Sequence, residues 1–166
     1  MNRVLVAGTS LHFWFEERDI VALLSRRFPD EVVHRLHPRR GGSWEWPAML
    51  KLKNQIAQAW CVVAAFSTVT IEAALMGRPA ILVGFGNGPQ GRVLDHWAYE
   101  HMATVASWPT SKVAHDEDEL VRMVANALAR PLTEEERDDL RARALLIADC
   151  RPGLHERIAR AIEAAR

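Results

Sequence analysis

Short apolar runs of β type alternate along this chain with longer segments whose apolar residues follow helical spacing. The third run, Cys-Val-Val-Ala-Ala from Cys61, is apolar at every position, which is typical of a parallel strand covered by helices on both faces. Such alternation of strands with helices predicts a parallel sheet with right-handed crossovers. Four of the predicted strands lie at residues 4–7, 32–36, 61–65 and 80–85.

The helices are marked by apolar spacing, by prolines and by capping patterns. Asp116 with Glu119, and Thr133 with Glu136, have the three-residue spacing of capping boxes. Helices are predicted at about 16–28, 47–59, 67–75, 93–101, 116–129 and 133–148, with a last helix from Pro152 and a fifth strand at 103–106. With no internal repeat or linker, residues 1–166 are expected to form one domain. The predicted fold is α/β: a Rossmann-like, doubly wound parallel sheet of about five or six strands, with helices on both faces and a helical C-terminal tail.

Charge and cysteine content exclude several classes of protein. The 166 residues include 21 Lys and Arg against 21 Asp and Glu, so the formal net charge is zero. Affinity for nucleic-acid backbones comes mainly from excess Lys and Arg, so no nucleic-acid partner is expected. Two cysteines are too few for a disulfide framework or a four-cysteine zinc site, which indicates a reducing, cytoplasmic setting. The longest apolar stretch, residues 59–66, is far shorter than the roughly 18 residues of a membrane helix.

Ligands of doubly wound sheets bind beyond the carboxyl ends of the strands, and this rule selects four loops. Gly8-Thr9-Ser10 follows the first strand and lacks the G-x-G-x-x-G pattern of a dinucleotide site. A glycine-rich loop that contains Gly86 and Asn87 follows the fourth strand. The selected loops lie at residues 8–15, 37–46, 66–70 and 85–92.

Two hydroxyl residues, Ser67 and Thr68, lie where the third strand turns into a helix. The first turn of a helix has unpaired backbone N–H groups and the positive end of the dipole, which favour an anion. Their hydroxyls are therefore candidate phosphate donors. The alternative is that Ser67 or Thr68 only caps the helix, since both residue types are frequent caps.

Glu72 follows about one turn into the same predicted helix. Three residues before it is Val69, so Glu72 does not complete a capping box with either hydroxyl residue. A carboxylate near the strand ends can accept two hydrogen bonds from a ribose diol, as acidic residues do in other nucleotide-binding folds. The alternative is a solvated glutamate on the exposed face of the helix.

The segment from Ser67 has the pattern Ser-Thr-x-x-x-Glu-Ala-x-x-x-Gly-x-Pro-x-Ile. After an apolar strand, this pattern resembles the C-terminal, donor-binding domain of GT-B glycosyltransferases. Similar forms occur in the peptidoglycan N-acetylglucosaminyltransferase family, in capsule and sialic-acid polymer transferases, and in non-hydrolysing sugar-nucleotide epimerases. The resemblance implies that Ser67 and Thr68 bind the donor phosphates and that Glu72 binds the ribose. It also implies that the protein needs no metal and no cofactor.

Leu36-His37-Pro38 follows the second strand and resembles the His-Pro motif of bacterial sialyltransferases and capsule polymerases. The resemblance places His37 as the catalytic residue that stabilises charge on the departing nucleotide phosphate. The alternative is an ordinary loop histidine. Between Arg26 and Lys53, seven Lys and Arg face three Asp and Glu, a local excess that can attract an anionic donor.

The resemblance extends over nearly the whole chain but covers only half of a GT-B enzyme. It implies a nucleotide-sugar donor, UDP- or CMP-linked, with Thr9, Ser10, Gly86 and Asn87 as further substrate-binding residues. The acceptor-binding domain, which usually supplies the base in inverting members, precedes this region in those enzymes. The chain is therefore expected either to be part of a longer enzyme or to act with a separate acceptor-binding subunit, through which it could also reach a membrane surface.

Two other functions use the same residues. One is a sugar-nucleotide epimerase or hydrolase of the same fold. The other is a non-catalytic nucleotide-binding subunit, which would bind the nucleotide without turnover.

Overall fold

The computed structural model describes residues 3–9, 17–37, 45–65, 67–88, 91–96 and 100–147. Within them, five parallel strands form one sheet in the order β2-β1-β3-β4-β7, and β5 and β6 form a small antiparallel pair. This arrangement confirms the predicted doubly wound parallel fold. The strands are β1 (Val4–Ala7), β2 (Val32–Arg35), β3 (Cys61–Ala64), β4 (Ala80–Val83), β5 (Asn87–Gly88), β6 (Gly91–Arg92) and β7 (Lys112–Ala114).

The two helices that follow Asp116 and Thr133 begin where their capping patterns predict. The Asp116 carboxylate accepts a hydrogen bond from the N–H of Glu119 (2.7 Å). Thr133 and Glu136 form a reciprocal capping box, with backbone-to-side-chain bonds of 2.9 and 3.2 Å. The helix predicted from residue 152 lies outside the described residues. The helices are α1 (Glu17–Arg27), α2 (Trp46–Gln58), α3 (Val69–Leu75), α4 (Val93–His96), α5 (Glu100–Ala106), α6 (Glu117–Ala129) and α7 (Glu134–Ile147).

One predicted strand is wrong. Residues 103–106 belong to α5, and the strand beside β4 is β7 instead. Met102, Val105 and Trp108 are buried together in one apolar cluster, and their three-residue spacing matches one face of a helix rather than alternating sides of a strand. Within the helix predicted over 93–101, residues 93–96 form α4 and α5 begins at Glu100, and residues 97–99 lie outside the described part.

The strands direct alternate side chains to two layers of helices. Val4 and Val6 pack with residues of α1 and α6 on one face of the sheet. Leu5 and Ala7 pack with residues of α2 and α3 on the other. All four residues of β1 are almost fully buried, and burying a side chain of Val or Leu size contributes roughly 1.5–3 kcal/mol. Strand β1 is therefore packed between the two layers of helices.

The direction of strand order reverses between β1 and β3. From β1 the chain passes to β2 on one side, then crosses to β3 on the other. The connection after β1 runs toward β2, and the connection after β3 runs toward β4 on the other side. Because the two connections leave in opposite directions, a crevice forms between the carboxyl ends of β1 and β3, where ligands of such sheets bind. Among the described residues, no helix has the length and apolar character needed to cross a bilayer.

Candidate functional site

A cavity of about 90 Å³ lies at this reversal point. Gly8 lines it from the end of β1, His37 from the segment after β2, and Ser67 and Thr68 from the turn after β3. Glu72 lines it from α3. The structure thus brings together four of the predicted site residues, which lie up to 35 positions apart in the sequence.

Close approach of backbone segments at Gly8 holds the ends of β1 and β2 together. The Gly8 N–H donates to the carbonyl oxygen of Arg35 (2.8 Å). A Cβ at residue 8 would lie 2.9 Å from that oxygen and 3.0 Å from the backbone nitrogen of His37. Glycine is therefore required for this contact, which places His37 beside the end of β1.

A buried carboxylate, Glu17, lies behind the Gly8 loop. It is 0% exposed, its Oε1 lies 2.7 Å from Nε2 of His34, and its Oε2 accepts a bond from the N–H of Thr9 (3.1 Å). Sequence reasoning did not distinguish this residue from the exposed acids of the first helix. The signal was present, because Glu17 precedes Ile20 by three positions and Leu24 by seven, on the buried face of α1.

The hydroxyl residues at the start of α3 have different roles. The Oγ of Ser67 accepts a hydrogen bond from the N–H of Val69 (3.3 Å), so this side chain does cap the helix while it lines the cavity. Thr68 is exposed, and its hydroxyl makes no hydrogen bond with any described residue. Since α3 has only seven residues, its dipole alone is a small contribution to anion binding.

Glu72 is half-buried in the cavity wall, and burial raises the pKa of its carboxyl group. Within the described part of the chain, this carboxylate forms neither a hydrogen bond nor an ion pair. Glu72 is thus not the fully solvated surface glutamate of the alternative interpretation. A partly desolvated ionisable group that lies in a cleft without a partner is a common feature of binding sites.

Arg35 is a cavity residue that sequence reasoning counted only as part of a local charge excess. It is the last residue of β2, and its guanidinium donates to Oε1 of Gln55 (3.2 Å) and to the carbonyl oxygen of Ala48 (2.6 Å). Its position at the end of a strand that borders β1 was the available signal. The direction of its side chain could not be predicted from the sequence, because it depends on which face of the sheet α2 covers.

Three predicted residues lie apart from this cavity. Thr9 is 2% exposed and is not among the lining residues. Gly86, at φ +88°, directly precedes β5, and the exposed Asn87 is the first residue of that strand; neither lines the cavity. Ser10 lies outside the described residues.

A larger groove of about 550 Å³ lies at the opposite edge of the sheet, near the amino ends of β4 and β7. Its two acidic residues are both paired, Glu119 with Arg122 (3.4 Å) and Glu136 with Arg130 (2.9 Å). The smaller cavity is the better candidate because its acid is unpaired and because it lies at the ligand-binding edge of the fold. In the described ranges, no cluster of three or more His, Cys, Asp or Glu residues could hold a metal ion.

A scan of the sequence against protein-family models finds no match. A search of curated proteins finds no match either. The candidate function therefore rests on the cavity and on the chemistry of the residues around it.

Proposed function

We propose that this chain binds a nucleotide sugar and forms the donor-binding half of a GT-B-type glycosyltransferase in polysaccharide or glycoconjugate biosynthesis. The observation that carries the proposal is the unpaired, half-buried carboxylate of Glu72 in the cavity at the β1–β3 reversal point. Acidic residues of other nucleotide-binding α/β folds accept hydrogen bonds from ribose hydroxyls. His37, Ser67 and Thr68 line the same cavity and supply donors for a phosphate.

The proposed reaction is a displacement at C1 of the sugar. An acceptor hydroxyl oxygen bonds to C1 while the bond from C1 to the phosphate oxygen breaks, and the nucleotide leaves with the electron pair. A donor hydrogen bond from His37 stabilises the charge that develops on that phosphate. The base that takes the acceptor's proton would belong to the acceptor-binding domain or subunit.

The size of the cavity supports a half-site. Its volume is about 90 Å³. A ligand of drug size usually occupies about 300–1,000 Å³. The cavity therefore suits part of the donor, such as its ribosyl phosphate, with the remainder of the donor contacting other residues or a second domain.

A thermal-shift screen against UDP, CMP, CDP and GDP tests nucleotide binding. A ligand present at 100 times its dissociation constant stabilises the native protein by about 2.7 kcal/mol, which is readily measured. Calorimetry then compares the wild type with Glu72→Ala and His37→Ala. Loss of a hydrogen bond to a charged group should weaken binding by about tenfold or more in each variant.

Glu135→Ala is the matched control for Glu72→Ala, since Glu135 is exposed and does not line the cavity. Its affinity should equal that of the wild type. Unchanged affinity in both Glu72→Ala and His37→Ala, for every nucleotide that binds, would remove the assigned roles.

Turnover assays separate the proposed transferase from the other functions of this fold. With a candidate acceptor domain added, transfer of label from a sugar nucleotide supports the glycosyltransferase. Epimerised or hydrolysed product without transfer indicates the epimerase or hydrolase, and binding without any turnover indicates a nucleotide-binding subunit. A cytoplasmic location, with contact to a membrane surface through the partner, forms part of the same proposal.

A further inference from the structure

We infer that Arg35 is the cation that binds the phosphate of the ligand, and that Arg35 and Glu72 together select a phosphorylated sugar such as the ribosyl phosphate of a nucleotide. This inference rests on the proposed function and deepens it. It assigns the anion to the wall formed by β2 and α2, whereas the sequence pattern pointed to the start of α3.

The guanidinium of Arg35 is fixed in place by neutral partners. Its two hydrogen bonds go to the side-chain oxygen of Gln55 and to the backbone oxygen of Ala48, both on α2. No acidic residue of the described chain pairs with it, so its positive charge is uncompensated there. A guanidinium has five N–H donors, so three remain after these two bonds. Planar guanidinium groups bind phosphate oxygens strongly and with defined geometry.

Arg35 and Glu72 line the same cavity without forming an ion pair. The cavity is therefore lined by one cationic residue and one acidic residue. A phosphate is attracted to Arg35 and repelled by Glu72, while hydroxyl groups can donate to the carboxylate of Glu72. A ligand with an anion next to a diol satisfies both residues at once, whereas a nucleoside or a free phosphate satisfies only one.

The start of α3 is a weaker place for the anion. Ser67 Oγ already accepts the N–H of Val69, and α3 has only seven residues. The full charge of a guanidinium adds coulombic attraction to its hydrogen bonds with a phosphate, whereas neutral hydroxyls offer only the hydrogen bonds. Ser67 and Thr68 then serve as additional donors rather than as the main anion-binding group.

Calorimetry with UDP and with inorganic pyrophosphate tests this assignment in the full chain. Arg35→Gln should weaken binding of both probes by about tenfold or more, and Arg35→Lys should weaken it less, because lysine keeps the charge but loses the planar fork. Arg27→Gln is the matched control, since Arg27 is exposed on α1 and its substitution removes the same charge. Unchanged binding of both probes by Arg35→Gln would overturn the inference.

The salt dependence separates direct phosphate binding from a merely structural role. The difference in pyrophosphate affinity between the wild type and Arg35→Gln should become smaller between about 0.1 M and about 1 M NaCl, because the screening length falls from about 10 Å to about 3 Å. An equal defect at both concentrations would mean that Arg35 only supports α2, and would overturn the inference. If Arg35→Gln does not fold, Gln55→Ala replaces it, because that variant keeps the guanidinium but removes one of the bonds that position it. It should then weaken pyrophosphate binding, and normal binding would count against the inference.

Failure of the inference and failure of the proposed function give different results. Nucleotide binding that depends on Glu72 but not on Arg35 would retain the proposed function and overturn the inference. Pyrophosphate binding that depends on Arg35, without binding of any nucleotide, would retain the anion site and overturn the proposed function. No binding of any probe by the wild type would overturn both.

Discussion

The buried carboxylate of Glu17 lies 2.7 Å from Nε2 of His34, and through this contact α1 is joined to β2 directly behind the Gly8 loop. The same carboxylate accepts the N–H of Thr9. One side chain therefore connects three segments: the first helix, the loop after β1 and the strand that ends at Arg35. The positions of the cavity residues Gly8 and Arg35 depend on this connection.

Glu17→Ala should lower the free energy of unfolding by about 2–3 kcal/mol, because a buried N–H and the imidazole of His34 lose their acceptor. Asp19→Ala is the control from the exposed face of the same helix and should change stability by less than about 0.5 kcal/mol. Urea unfolding of both variants measures the difference. Equal, small effects would mean that the Glu17 contacts contribute nothing to stability.

Gly8→Ala should destabilise the protein by about 1–3 kcal/mol, as expected when an added methyl group forces backbone segments apart. The new Cβ would meet two backbone atoms, of Arg35 and His37, at or within 3.0 Å, and these cannot move as a flexible side chain can. Because both residues line the cavity, UDP affinity should fall together with stability. Wild-type values for the unfolding midpoint and for UDP affinity would show that β1 and β2 do not approach as described.

Replacement of Glu72 should change how stability depends on pH. Burial raises the native pKa of Glu72 above its ordinary value of 4.5, so the native state holds this proton to a higher pH than the unfolded chain does. Wild-type stability therefore falls as pH rises from 4.5 through the raised pKa, and the loss is absent below 4.5. Glu72→Gln lacks this loss, so its stability relative to the wild type should increase across that window.

Urea unfolding at about pH 4 and about pH 7 measures this change, since the first value lies below the ordinary glutamate pKa of 4.5 and the second lies above it. Glu135→Gln removes the same charge from an exposed position and should show no comparable increase. If the free energy of unfolding differed between Glu72→Gln and the wild type by the same amount at both pH values, that result would contradict the desolvation of the Glu72 carboxyl group.

Cys61 should be unreactive in the native protein. It lies in the core on β3, and burial raises the pKa of its thiol to about 12. At pH 8 only about one thiol in ten thousand would be ionised, and the thiolate is the reactive form. In a Cys150→Ser variant, where Cys61 is the single thiol, iodoacetamide should react only after urea unfolding. Rapid alkylation of the folded variant would contradict the burial of Cys61.

Strands β1, β3 and β4 could be predicted because fully buried strands consist of uninterrupted branched and small apolar residues. The predicted run at 61–65 corresponds to β3, and the run at 80–85 to β4 with two further residues. Ala103-Thr-Val-Ala fits a short strand and a helix equally well. Only the packing of Met102, Val105 and Trp108 decides for the helix, and that packing is a tertiary property.

The candidate site was predictable where its residues follow strand ends and less so where side-chain direction matters. His37, Ser67 and Thr68 lie in loops that follow predicted strands, so the carboxyl-edge rule located them. Glu72 was located from its position about one turn into the helix that follows. His34 and Arg35 are neighbours on β2 and point to opposite faces, one toward Glu17 and the other toward α2. The sequence does not specify which helix covers which face of the sheet. For that reason Arg35 was not predicted as a cavity residue.

Amide NMR of the ¹⁵N-labelled protein during titration with UDP, and in parallel with CMP, locates any bound nucleotide. We predict saturable shift changes at Gly8, His37 and Thr68–Glu72, with none at Lys112 or Asn126 in the groove at the opposite edge. The same titrations of Glu72→Ala should show these changes only at higher nucleotide concentration. Changes centred on the opposite groove, or the absence of changes with both nucleotides, would contradict nucleotide binding at the carboxyl edge of the sheet.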